Sequence, residues 1–279
     1  MATVIDGKAV SAGIRAQLAT EVAAMKALPG LAVVLVGEDP ASKTYVKNKG
    51  KACTEVGINA REYKFDKDTP QADLITLVES LNKDDQIDGI LVQLPLPRHI
   101  DTKAVIEAID PLKDVDAFHP SNAGRIMLGD YTFAPCTPAG VMELLDSAGV
   151  EIAGKECVIV GRSNIVGKPQ AMLLMHRHGT VTVCHSKTDD LGAVTRRADI
   201  LVVAIGRAKF ITGDMVKDGA VVIDVGMNRD ENGKLCGDVD YEAVLPKASA
   251  ITPVPGGVGP MTITMLLKNT VAAAKLHGK

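Results

Sequence analysis

A chain of 279 residues with 23% charged side chains and a formal net charge of −3 can bury a sizeable core and suits two ordinary domains. That near-neutral balance, with 3% aromatic residues and no Trp, offers neither the charge nor the stacking platforms that nucleic acid or an anionic membrane would need, so a small-molecule partner is expected. The five cysteines, Cys53, Cys136, Cys157, Cys184 and Cys236, never form a C-x-x-C pair, which argues against a disulfide framework or a zinc site and for a reducing compartment.

The chain opens on MATVIDGKAV, which lacks the basic start and apolar run of a leader. No apolar stretch approaches the roughly 20 residues of a membrane span, so a cytoplasmic location is expected. Val10, Ile14, Leu18, Val22 and Met25 recur at helical spacing until Pro29-Gly30 stops the helix. Leu31 to Val36 then has the length and β-branched content of a strand, and Gly-Glu-Asp-Pro leads it into a helix ending near Gly57. Tyr45 and Lys49 lie four apart on that helix, so ring and amine share one face beyond the carboxyl end of a strand, where open α/β folds hold ligands. The plainer alternative is a solvated lysine on an amphipathic helix. Gly37 followed by Ser42-Lys43-Thr44 imitates a P-loop, but Ser42 replaces the second glycine and Glu38 and Asp39 would repel a polyphosphate.

Ile58 to Phe65 reads as a strand, Thr69-Pro70 opens a helix with Leu74, Leu77, Val78 and Leu81 on one face, and Gly89 to Leu94 is a further strand carrying Gln93 at its end. Asp110 to Pro135 shows little periodicity and is expected to be irregular and functional. Thr137-Pro138 supplies an N-cap and a first-turn proline for a helix with Val141, Leu144 and Leu145 inward. From Cys157 the order is strand, glycine turn (Gly161 to Gly167), helix (Pro169 to Arg177), strand (Val181 to Cys184), helix (about Asp189 to Arg197), and strands Asp199 to Ile205 and Ala220 to Val225. Such alternation implies a parallel, doubly wound sheet. His176 and His178 diverge on a helix and are not expected to bind metal, and Asp230 to Gly237 reads as a hairpin around Asn232-Gly233. Thr252 to Thr262 packs three glycines among three prolines before a final helix with Ile263, Leu267, Val271 and Ala274 aligned, which suits a rigid ligand wall or, more plainly, a tight turn.

Gly161-x-Ser163-x-x-x-Gly167 departs from G-x-G-x-x-G, but a strand precedes it and a helix follows, as at a dinucleotide site. The next strand ends in Cys184-His185-Ser186-Lys187 without the acidic residue that grips NAD ribose, while Arg162, Ser186 and Lys187 offer donors and charge for a 2′-phosphate. NADP is therefore favoured over NAD, with an unliganded sheet as the alternative.

Together, Tyr45-x-x-x-Lys49, Gln93-Leu-Pro-Leu-Pro97, Lys113-Asp-Val-Asp116, Gly161-Arg-Ser163 with Val166-Gly167, and Pro253 to Thr262 resemble the bifunctional methylenetetrahydrofolate dehydrogenase/methenyltetrahydrofolate cyclohydrolase family, from about Asp6 to the C-terminal helix. The resemblance implies a two-domain α/β fold. Residues 1–138, completed by a returning helix over 260–279, would form the catalytic folate-binding domain, and residues 139–259 a Rossmann-type NADP-binding domain with a parallel sheet, the active-site cleft lying where the two face each other. It also implies a cytoplasmic homodimer that oxidises 5,10-methylenetetrahydrofolate with NADP⁺ and hydrolyses the product to 10-formyltetrahydrofolate, feeding purine biosynthesis.

Carried over by position, Tyr45 resembles the residue beneath the folate ring, Lys49 the catalytic amine, Gln93 its hydrogen-bond partner and Asp116 the carboxylate that grips the pterin. Val92, Leu94, Pro255, Gly256 and Gly257 are expected beside the substrate, and Gly161, Arg162, Ser163, Ser186 and Met227 beside NADP. One residue departs from the family pattern: Ala117 stands where KDVD is usually followed by glycine, so a backbone compatible with alanine is expected there. Two other functions compete. A monofunctional dehydrogenase would have no need of the intact Tyr45, Lys49 and Gln93, and a non-catalytic NADP sensor would have no reason to keep Lys49 and Asp116.

Overall fold

The computed structural model describes residues 2–279, apart from the side chains of residues 40 and 41. The contacts divide the chain into two units, Met1–Ala12 with Thr137–Thr262 and Gly13–Cys136 with Ile263–Lys279. The first elements are a short strand, β1 (Thr3–Val4), and helix α1 (Gly7–Ala23), within which the first division falls.

The unit built on Gly13–Cys136 holds β2 (Gly30–Val36), α2 (Pro40–Val56), β3 (Asn59–Phe65), α3 (Gln71–Asn82), β4 (Gly89–Val92), α4 (Thr102–Glu107) and α5 (Pro120–Leu128). Its three parallel strands run in the order β3-β2-β4. β2 is central, and its unbroken apolar run is buried from end to end, as a strand covered on both faces must be. Ala32, Val34 and Val36 of β2 and Ile90 and Val92 of β4 pack with Leu74, Val78 and Leu81 of α3. Each of those leucines stabilises the unit by about 2 kcal/mol through burial. Gly57 ends α2 in the left-handed region at φ 90°, its N–H on the Cys53 carbonyl, as its sequence position suggests.

The other unit takes α6 (Cys136–Ser147) from its second residue, then β5 (Glu156–Val160), α7 (Gly167–His176), β6 (Thr180–Cys184), α8 (Leu191–Thr195), β7 (Ile200–Val203), β8 (Val221–Asp224), the hairpin β9 (Asn228–Arg229) and β10 (Leu235–Cys236), α9 (Tyr241–Val244), and β11 (Ala250–Ile251). The final helix, α10 (Val258–Leu276), begins in this unit and passes to the other at Ile263. Six parallel strands run in the order β1-β11-β8-β7-β5-β6. The chain steps outward from β5 to β6 and returns on the other side of β5 to β7, which makes the carboxyl end of β5 the topological switch point.

Four expectations need correction. Residues 1–12 do not belong with the first domain, because β1 pairs with β11 at the edge of the six-stranded sheet. The second crossing falls after Thr262, not at residue 260. Residues 110–135 are not wholly irregular: α5 is capped by His119, whose Nδ1 accepts from Ser121 N at 3.0 Å. Histidine is outside the usual cap set and Ile126 is the helix's one buried apolar side chain, so neither cap nor periodicity signals it. Finally, α6 starts at Cys136, and Thr137 pairs with the Thr262 hydroxyl at 3.0 Å instead of standing before the helix as its cap.

Candidate active site

β2 and β4 are parallel neighbours with Val34 level with Val92, so the residue after β4 lies beside the carboxyl end of β2. That residue is Gln93, whose N–H donates to Val34 O at 2.8 Å. From α2, Lys49 reaches the same end. Its Nζ donates to Gln93 Oε1 at 3.0 Å and stands 5.1 Å from the centre of the Tyr45 ring, within range of a cation–π contact. Gln93 Nε2 donates to Leu94 O at 2.7 Å, which leaves Oε1 to face the amine. Only 5% of Lys49 is exposed. Burial lowers its pKa, while the Asp116 carboxylate, the first of the opposing influences, pulls the other way. Cys53 is itself pushed up to about 12 by burial, so it stays a thiol.

Asp116 arrives by a turn that follows a single bridge. Ile90 of β4 bridges Asp114 in parallel, with Ile90 N donating to Lys113 O at 2.7 Å, and the chain then turns at once, Ala117 N donating to Asp114 O at 3.0 Å, with Asp116 inside the turn. Buried, hydrogen-bonded Asp114 holds the turn, accepting from His119 N at 2.7 Å and Asn122 Nδ2 at 2.9 Å. Burial raises the pKa of Asp116, and Lys49 offsets part of that effect. Ala117, expected in an ordinary conformation, instead stands at φ 57°, in the left-handed region where a Cβ is unfavourable. Asp116 nevertheless keeps its place near Lys49.

The same neighbourhood contains two residues that sequence reasoning missed. Cys136 Sγ donates to Asp116 Oδ1 at 3.4 Å, and Asn269 of α10 donates through Nδ2 to Val115 O at 2.8 Å and Ala134 O at 2.9 Å. Cys136 looks like any isolated cysteine. Asn269 does not stand out in sequence either, because the same helix also carries Thr262, Thr264, Lys268, Thr270 and Lys275.

In the six-stranded unit, Val160 of β5 is level with Cys184 of β6, and Gly161 N donates to Cys184 O at 2.9 Å. The register brings Gly161-Arg162-Ser163 beside His185-Ser186-Lys187 at the carboxyl edge. Gly161 is at φ 130°, and a Cβ there would lie 2.2 Å from Ala204 O; at Gly167 it would lie 2.1 Å from Gly161 O. The strand-to-helix turn is thus closed to any larger residue, as a phosphate-approaching loop requires. Ser163 Oγ accepts from Val166 N at 3.1 Å and Gly167 N at 3.4 Å, fastening the turn to the start of α7. Arg162, Ser186 and Lys187 are exposed, and Met227 is 57% exposed. These residues present positive charge, donors and a helix start together, the donor set that a dinucleotide with a 2′-phosphate needs.

Asp238, missed from sequence, is fully buried and accepts from the N–H groups of Ile205, Gly206 and Arg207 at 2.7, 3.0 and 2.7 Å and from Asn228 Nδ2 at 2.8 Å. It ties the turn after β7 to the residue following Met227. Neighbouring Asp224 accepts from Gly226, Asp238 and Val239 N–H groups, and burial raises its pKa to about 6, with Asp238 adding to the rise.

Of the glycine-rich stretch, Pro255 is exposed after a cis peptide bond, while Gly256, at φ 111°, and Gly257 are buried at the start of α10. Gly257 N donates to Pro253 O at 2.8 Å, which closes the turn. Tyr45, Lys49, Val92, Gln93, Leu94 and Asp116 therefore belong to one unit, and Gly161, Arg162, Ser163, Ser186, Met227, Pro255, Gly256 and Gly257 to the other. Among the described residues no group of His, Cys, Asp and Glu could hold a metal ion, and no helix is long and apolar enough to cross a membrane.

Residues 5–116 match the family model for the catalytic domain of tetrahydrofolate dehydrogenase/cyclohydrolase, and residues 135–278 match its NAD(P)-binding domain. The chain is 62% identical to the bifunctional protein FolD of Acetivibrio thermocellus, over 100% of this chain and 99% of the relative, and 57% identical to that of Bacillus subtilis, over 98% of each. Among solved structures it superposes on the bifunctional FolD methylenetetrahydrofolate dehydrogenase/cyclohydrolase of Campylobacter jejuni with a TM-score of 0.97 at 51% identity, covering 99% of each chain. The Trypanosoma brucei enzyme, solved with NADP and an inhibitor, gives 0.94 at 41% identity, covering 99% of this chain and 98% of that one. Full-length identity at this level and two family models that between them span most of the sequence establish that the chain belongs to the tetrahydrofolate dehydrogenase/cyclohydrolase family.

Proposed function

We propose that this chain oxidises 5,10-methylenetetrahydrofolate to 5,10-methenyltetrahydrofolate with NADP⁺ and hydrolyses that cation to 10-formyltetrahydrofolate, with Tyr45, Lys49, Gln93 and Asp116 as the folate-facing residues. The observation that carries the reading is the buried amine of Lys49, bonded to Gln93 and set against the Tyr45 ring.

Gly161, Arg162, Ser163, Ser186 and Met227 would hold NADP⁺, which when bound supplies the acceptor for the hydride leaving the methylene carbon. The protein needs to add mainly alignment to this step, because the lone pair of the adjacent folate nitrogen stabilises the cation left behind. Tyr45 presents an aromatic face on which the folate ring can lie, with Val92 and Leu94 flanking it. Asp116, as a carboxylate, is a two-point acceptor for adjacent ring N–H and amino groups of the pterin. Pro255, Gly256 and Gly257 supply a shaped wall for substrate.

Hydration asks for more. Water loses a proton as its oxygen bonds to the methenyl carbon; a ring nitrogen then gains a proton as its bond to that carbon breaks, while the new hydroxyl loses its own to become the formyl carbonyl, so one proton is released overall. An ordinary lysine, at about 10.4, is too basic to do both near neutral pH. Burial of Lys49 moves it in the required direction, and a cationic substrate alongside moves it further. As neutral amine Lys49 accepts the water's proton, and as ammonium it returns one to the ring nitrogen. Gln93 Oε1 holds the amine in place in either state.

The same reading makes the protein a cytoplasmic homodimer whose product serves purine biosynthesis. Purified protein mixed with methylenetetrahydrofolate and either NADP⁺ or NAD⁺, followed at the methenyl absorbance, tests the activity. Formation and then decay, faster with NADP⁺, is expected. Formation without enzyme-dependent decay would mark a monofunctional dehydrogenase, and no formation a non-catalytic binder.

A further inference from the structure

We infer that Asn269, on the last helix of the chain, is a positioning residue for Asp116 and thereby sets folate affinity; the inference rests on the reading of Asp116 as the pterin-binding carboxylate. Asn269 is 9% exposed. An amide has two N–H groups, and here they meet two carbonyls brought from far along the chain, Val115 O at 2.8 Å and Ala134 O at 2.9 Å, with Cys136 Sγ at 3.8 Å. Val115 is the peptide before Asp116. Cys136 is the residue whose single S–H faces both Asp116 Oδ1 at 3.4 Å and Val115 O at 3.5 Å. One side chain therefore fixes the backbone that presents the carboxylate and the segment carrying the thiol that touches it.

The loop needs such a clamp. Ala117 follows at φ 57°, a conformation alanine does not favour, so contacts from outside the loop must hold it. The strand-like bridge at Ile90 and Asp114 secures the near side, and α10 secures the far side. Residue 269 lies within the span matched by the NAD(P)-binding family model, yet it belongs to the unit that carries Asp116. The C-terminal helix thus contributes a functional part to the folate unit as well as apolar packing. Because the Asp116 carboxylate acts on the Lys49 pKa, a displaced loop would also shift the acid–base behaviour of the hydration step.

The test uses the full-length chain as wild type, Asn269→Leu and Asn269→Asp, measuring KM and kcat for both steps, the Kd for NADP⁺, and Tm. In Asn269→Leu both carbonyls lose their donor, and KM for methylenetetrahydrofolate is expected to rise about tenfold or more, with the NADP⁺ Kd within about twofold of wild type. Asn269→Asp keeps the shape but, ionised, sets a negative oxygen against the carbonyls. Its folate KM, read against wild type at the same pH, should be high at neutral pH and recover as pH falls through the pKa of the buried carboxyl, which burial raises, as a proton restores one donor. That pH-dependent recovery is a signature general loosening would not produce, and it remains measurable if Asn269→Leu fails to fold. A folded Asn269→Asp with wild-type folate KM throughout, or with folate and NADP⁺ affinities weakened equally and no recovery, would overturn the inference. Wild-type protein inactive on methylenetetrahydrofolate would overturn the folate reading itself, an outcome separate from either.

Discussion

Lys49 and Gln93 are joined in one direction only: the lysine Nζ donates at 3.0 Å to Gln93 Oε1, because the other end of that amide is already donating to Leu94 O. The sequence alone permits Gln93 to accept from an ammonium or donate to a neutral amine. The structure leaves it accepting in both cases, so Gln93 favours the ammonium and works against the burial that favours the amine.

Lys49→Met should reduce methenyl hydration by roughly 10²–10⁴-fold while leaving NADP⁺ binding unchanged. An unaltered hydration rate would remove Lys49 from the mechanism. In the wild type, the amine becomes available as base above its own lowered pKa, so the Lys49-dependent rate should rise with pH and level off below the ordinary lysine value of about 10.4. Gln93→Leu removes the acceptor that stabilises the charged form. It should therefore move this limb to still lower pH and depress its plateau, read from pH–rate profiles corrected by the Lys49→Met background.

How far this centre could be read from the sequence depends on what each residue's signal is. Tyr45 and Lys49 are four apart on one helix, and Gln93 ends a strand, so periodicity and motif together find them. Asp116 is legible through the KDVD resemblance, while its placement depends on a bridge between residues 90 and 114 and the turn that follows, which no local pattern encodes. Asn269 acts through contacts spanning more than a hundred residues, and Cys136 reaches Val115 and Asp116 from the far side of α5; sequence spacing carries no trace of either. The six-stranded sheet was legible from its strand–helix alternation, except for its two-residue strands, β1 and β11, which are too short to show a period.

Arg162→Ala should weaken NADP⁺ more than NAD⁺, because its guanidinium is offered to a phosphate that NAD⁺ lacks. Isothermal titration with both dinucleotides decides it, and equal losses would exclude a 2′-phosphate contact. Gly161→Ala should abolish binding of both, since its Cβ would fall 2.2 Å from Ala204 O at a φ of 130°.

Ala117→Gly should stabilise the protein by about 1 kcal/mol, since glycine occupies the left-handed region without the Cβ clash. Ala117→Val, which adds β-branching at a buried position with φ 57°, should destabilise it and raise the folate KM. Thermal unfolding and steady-state kinetics check both. A glycine variant no more stable than wild type would show that the loop stores no strain there.

Asp224 should titrate near pH 6 instead of the usual value of about 3.9, visible as the midpoint of its carboxyl carbon shift by NMR. Between these values the folded chain holds a proton that the unfolded chain releases. The associated stabilisation, up to about 3 kcal/mol, is fully present below pH 4 and lost as pH rises through 6. The Tm difference between wild type and Asp224→Asn should accordingly move against the wild type across that window. Asp238→Asn should bring the midpoint down by removing the neighbouring charge.

The bridge between Ile90 and Asp114 also constrains how this protein can diverge. The excursion between them, with its short helix α4, can lengthen or shrink without disturbing the carboxylate, because the ladder restores alignment on the chain's return. From Asp114 to Asp116 no such freedom exists. One residue gained or lost there breaks the turn closed by Ala117 N on Asp114 O, which aims the carboxylate, so related chains should vary in length before Lys113 and hold their count from Asp114 to Ala117.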